Sequence, residues 1–149
     1  MYFVDRNQIS NSLTHMEDLL ALYRERKEWQ GDAVHSLALE RITHVIIESI
    51  IDVGNSMIDG FIMRDPGSYE DIIDIMEDER VITKEMAGPL KRVIELRKMI
   101  VLDFTKVDVS KIQNVLNASM EELLVFSAKV RHYLENELGP VSAFLPEDK

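Results

Sequence analysis

The chain has 149 residues, 46% of them hydrophobic and 30% charged, with a formal net charge of −10 and no cysteine. That length and composition fit one globular domain with a buried core. The acidic balance argues against a broad basic face for nucleic acid, and the missing thiols exclude disulfides and thiolate metal sites.

Met1 to Arg6 lacks the basic-then-apolar pattern of a signal peptide. No apolar run approaches the ~18 residues of a membrane helix. A cytoplasmic location without membrane contact is therefore expected. From about Asn7 to Gln30, Ile9, Leu13, Met16, Leu20 and Tyr23 recur at spacings of three and four, the pattern of an amphipathic helix. Gly31 is well placed to end it as a left-handed cap, and Asp32 to cap the next helix. That second helix runs to about Asp59-Gly60 and is apolar around most of its circumference, so it should be central.

Three polar residues interrupt it. His44, Glu48 and Asp52 repeat every four residues and lie along one line of the helix, with Arg41 close by. Arg64-Asp65-Pro66-Gly67 is turn chemistry, and Ser68 to Asp71 resembles a capping box. A short acidic helix follows from Tyr69 to about Glu79, burying Ile72, Ile73 and Met76. Thr83 is a candidate cap for a helix that Gly88-Pro89 should kink or restart, and its apolar pattern continues to Phe104. The last long helix is expected from Asp108 or Ser110 to about Leu138, closed by Gly139-Pro140. The expected architecture is all-α, an antiparallel up-and-down bundle. It has three long helices, one short acidic helix and one kinked helix over residues 1–138, with a C-terminal tail at 139–149.

Two stretches together resemble the HepT-like branch of the HEPN superfamily. One is Leu39 to Gly54, which matches the family's second helix with its Glu and Asp four apart. The other runs from Ser68-Tyr69 through Val81-Ile82-Thr83 into Leu96-Arg97 and Val107-Asp108. The similarity covers roughly residues 1 to 137. The resemblance implies an all-helical homodimer, a toxin paired with an MntA-type nucleotidyltransferase antitoxin. It also implies a metal-independent RNase needing no cofactor. Active members carry Arg-x4-His-x-Tyr. The histidine moves a proton during attack of a ribose 2′-hydroxyl on phosphate, the arginine stabilises the phosphate charge, and the antitoxin adenylylates the tyrosine.

This chain departs from that pattern. Arg97 is present, but Leu102 holds the histidine position, Phe104 the tyrosine position, and Lys98 the usual asparagine position. Leucine transfers no proton and phenylalanine has no hydroxyl to modify. The expectation is a HepT-like protein with lost or weakened RNase activity. The alternative is a non-catalytic helical dimer that binds a nucleotidyltransferase. Neither Asp103, about 100° around a helix from position 102, nor His132 on the last helix is expected to substitute.

Taken alone, the stretch from Leu96 to Asp108 looks like the buried end of a helix. Arg97 is either a phosphate clamp or the partner of a carboxylate such as Glu48. The His44, Glu48, Asp52 line is either a buried polar network or part of the cleft around Arg97. As a metal site it lacks the paired motifs that carboxylate-bridged bundles use, so no metal is expected. Lys91 and Lys98, seven apart on one helix face, are the candidate RNA contacts.

Overall fold

The computed structural model describes residues 5–136, and every regular element in them is helical. The elements are α1 (Arg6–Arg24), α2 (Ala33–Gly60), α3 (Tyr69–Asp78), α4 (Lys84–Arg97), α5 (Val109–Ala118) and α6 (Met120–Asn136). Four of these helices start where a short polar side chain accepts a backbone N–H of the first turn. Asp5 takes Asn7, Asp32 takes His35, Ser68 takes Asp71 and Asp108 takes Lys111. Thr83 occupies the same position before α4 without a side-chain cap bond.

The central helix is α2, which packs against α1, α3, α4 and α5. Its Ile46, Ile47, Ile50 and Met57 are fully buried, as are Leu13 and Met16 of α1 and Phe126 of α6. Thr43 and Ser49 are buried there too, and their hydroxyls donate back to the carbonyls of Leu39 and Val45 at 2.8 and 2.7 Å. Those bonds remove the cost of burying an unpaired hydroxyl.

Several boundaries differ from the sequence pattern. Helix α1 ends at Arg24, and no glycine among the described residues has positive φ, Gly31 included. The reason is Trp29. Its ring is 3% exposed, stacks on Tyr23 with centroids 6.0 Å apart, and donates Nε1–H to the Tyr23 carbonyl at 3.3 Å. An indole thus satisfies a helix-end carbonyl that a glycine cap would otherwise serve. The expected single last helix is broken between α5 and α6 at Ser119. That residue is fully buried, and its hydroxyl donates to the Pro89 carbonyl at 3.3 Å. Helix α4 runs uninterrupted through Pro89, because the bond proline forfeits belongs to the carbonyl of exposed Glu85 in the first turn. The expected end of the last helix at Gly139-Pro140 and the tail at 139–149 lie outside the described residues.

The entry to α3 carries a pH signature. Asp71 accepts both Arg64 Nη atoms at 2.7 and 2.9 Å and the Gly67 N–H at 2.8 Å. The Arg64 guanidinium, then the Gly67 N–H, hold its carboxyl down at about 2, from 3.8. A depressed carboxylate stabilises the fold above its unfolded value and loses that contribution as pH falls through the folded value. The melting-temperature advantage of the native protein over Asp71→Asn should therefore be constant above 3.8 and vanish by about 2. A pH-independent difference between the two melting curves would contradict this.

Candidate functional site

Three helices meet at Arg97. It is the last residue of α4, where a cation also complements the helix dipole. Its Nε donates to Glu48 Oε1 of α2 at 2.7 Å. His44, one turn earlier on α2, places Nε2 3.5 Å from that same oxygen. The guanidinium carbon lies 4.7 Å from the ring centroid of Tyr69, the first residue of α3. Side-chain exposures are 25% for Arg97, 30% for His44 and 44% for Glu48, so the group lines an open surface rather than the core. The Glu48 hydrogen bond raises the Arg97 pKa despite the opposing effect of burial, so the cation is permanent. Among the described residues the terminal Nη atoms of Arg97 donate no hydrogen bond. Asp52 sits one turn further along α2 and is exposed.

After Arg97 the helix widens. The Asp103 N–H donates to the Lys98 carbonyl at 3.0 Å, a bond spanning five residues instead of four. In a regular helix the position five beyond Arg97 would lie about 140° around the axis. The wide turn absorbs one residue and brings Leu102 to within about 40° of Arg97 instead. An Arg-x4 spacing therefore places both ends of the motif on one face.

Leu102 and Phe104 are 64% and 67% exposed, which corrects the reading of this stretch as a buried helix end. The wide turn and the loop after it lift both side chains off the core, while Ile100 stays buried. Leu102 borders a surface cavity of about 700 Å³ that Lys98, Asp103, Lys106 and Lys111 also line. Lys91 lies elsewhere, ion-paired with Asp74 of α3, which raises its pKa. His132 lines a different cavity, of about 780 Å³, with Arg80, Lys84 and Lys129. Lys84 and Arg97 are at opposite ends of α4, about 20 Å apart at 1.5 Å per residue. Among the described residues no group of three or more His, Asp or Glu side chains could hold a metal ion, and no helix is long and apolar enough to cross a membrane.

Tyr69 is the site residue that sequence reasoning missed. Ser68 marks it as the start of a helix, but nothing in the pattern points its ring at a residue 28 positions later.

The model of the family described as "Ribonuclease HepT-like" matches residues 9–130. A Bacillus subtilis (strain 168) protein named "Putative RNase YutE" is 48% identical over 144 residues, covering 97% of this chain and 99% of that one. The solved structure of the Bacillus subtilis cytosolic protein YutE superposes with a TM-score of 0.89 at 48% identity, covering 97% of this chain and 100% of that one. A solved toxin–antitoxin structure with AMP-PNP shares the fold, with a TM-score of 0.70 at 17% identity over 82% of this chain and 96% of that chain. The match over residues 9–130 and the extent of the likeness to YutE place this chain in the HepT-like ribonuclease family of the HEPN superfamily.

Proposed function

We propose that this chain is a HepT-like RNase scaffold whose cleavage of RNA is lost or much weakened, acting in the cytoplasm as a homodimer beside a nucleotidyltransferase antitoxin. The observation that carries the reading is Leu102. It stands exposed on the face of Arg97, where the wide turn would present an acid/base residue, and has no atom that exchanges a proton. General acid/base catalysis contributes about 10²–10⁴ in rate, so its loss leaves little cleavage. Arg97 supports retained phosphate recognition, because its Nη edge, which donates no hydrogen bond among the described residues, suits a bidentate contact. Lys98 adds a cation on the neighbouring cavity. Lys91 would have to leave Asp74 to contact RNA.

The test is incubation of purified protein with single-stranded RNA. Slow cleavage or none is expected, with RNA affinity falling several-fold on Arg97→Ala. Cleavage at an ordinary enzymatic rate, or RNA affinity indifferent to Arg97→Ala, would overturn the reading.

A second reading, a non-catalytic interaction protein, is favoured by exposed apolar side chains. Val34 and Leu37 are 74% and 64% exposed on the α2 line that continues through Arg41 and His44 to Glu48. Leu102 and Phe104 add to the exposed apolar surface. That surface fits a second copy of the chain or the antitoxin. Native pull-downs that recover the homodimer alone would count against an antitoxin partner.

A further inference from the structure

We propose that His44 is the proton-transfer residue of this chain, standing in from α2 for the histidine that Leu102 replaces. The inference rests on the reading of the chain as a weakened RNase. His44 and Arg97 share one oxygen: Glu48 Oε1 is 3.5 Å from His44 Nε2 and 2.7 Å from Arg97 Nε. The carboxylate therefore holds a phosphate-binding cation and an imidazole side by side. A carboxylate facing Nε2 favours the tautomer that carries its proton there, as in other acid/base sites. His44 is partly exposed, so substrate can reach it. The other candidates lack this juxtaposition. His132 belongs to the cavity at the far end of α4, and Asp103 lines the cavity beside Leu102, to which neither Arg97 nor Glu48 contributes.

With Nε2–H facing Glu48, the Nδ1 lone pair takes the 2′-hydroxyl proton of a bound ribonucleotide. The 2′-oxygen attacks phosphorus, the O2′–P bond forms and the P–O5′ bond breaks. The leaving 5′-oxygen takes a proton from solvent, and the imidazolium returns one. The products are a 2′,3′-cyclic phosphate and a 5′-hydroxyl, with no change in oxidation state.

The experiment compares the full chain with His44→Gln and His44→Asn on a short 5′-labelled single-stranded RNA. Affinity is measured on DNA of the same sequence, which lacks the attacking hydroxyl. Slow native cleavage should yield cyclic-phosphate ends. Both His44 variants should lower kcat by about 10²-fold, with Kd for the DNA within twofold and an unchanged melting temperature. His132→Gln should leave kcat unchanged. Native-rate cleavage by either His44 variant would overturn the inference and leave the weakened-RNase reading standing. No cleavage by the native chain would overturn it in favour of complete loss.

Discussion

Leu102→His combined with Phe104→Tyr is expected to raise RNA cleavage by about 10²–10⁴-fold over the native chain. The wide turn at Lys98–Leu102 already brings position 102 onto the face of Arg97, so no backbone change is needed. Both positions are more than half exposed, and substitutions at such surface sites usually shift stability by less than about 0.5 kcal/mol. An imidazole at 102 would stand beside Lys98, Lys106 and Lys111, cations that attract a phosphodiester to the neighbouring cavity. The tyrosine restores a hydroxyl at 104, and the single variant Leu102→His separates its contribution. Initial rates on one RNA, at equal protein concentration, measure the effect. Rates for the double variant equal to the native rate would mean that the obstacle lies outside these two positions.

The second large effect is on packing. Gly54 of α2 faces α3 so closely that an added Cβ would lie 2.3 Å from Ile72 Cγ2 and 3.4 Å from Met76 Sδ. Ile72 and Met76 are both buried, and the Ile72 methyl is a short, stiff branch that cannot swing aside. Gly54→Val must therefore push α3 away from α2. Overpacking of this kind costs about 1–3 kcal/mol, which for a chain of this size lowers the melting temperature by roughly 3–10 °C. The displaced helix also carries Tyr69, three residues before Ile72, so the support under the Arg97 guanidinium should loosen. Thermal unfolding and RNA affinity should both report the change. A Gly54→Val protein with native melting and native affinity would show that α3 neither packs this tightly nor steadies Arg97.

The fold was legible wherever apolar spacing and capping chemistry agreed. The Ile9 to Tyr23 stripe, the encircling apolar surface of α2, and the caps at Asp32, Ser68 and Asp108 all appear in the structure. What escaped were boundaries set by contacts between distant residues. Trp29 closes α1 by folding onto Tyr23, and Ser119 breaks the last helix where it meets Pro89 of α4. Neither contact leaves a periodic trace in the chain.

The site divides the same way. Spacing on α2 aligned His44, Glu48 and Asp52, and the family motif singled out Arg97. Yet only the packing of α2 on α4 brings Glu48 Oε1 within reach of both Arg97 and His44. Leu102 and Phe104 looked like core residues because their hydrophobicity says nothing of the wide turn that carries them to the surface. Tyr69 was hidden because an aromatic ring at a helix start has no preferred partner until α3 docks.

The most direct test of the central claim, that this face keeps its phosphate clamp while lacking the motif's histidine at position 102, is Arg97→Ala placed in the Leu102→His, Phe104→Tyr protein. Single-turnover cleavage of one labelled RNA would be measured for both proteins. The account predicts that removing Arg97 erases the restored cleavage, since the new histidine then faces a phosphate that the neighbouring lysines attract but no guanidinium clamps. Restored cleavage that survives without Arg97 would contradict it.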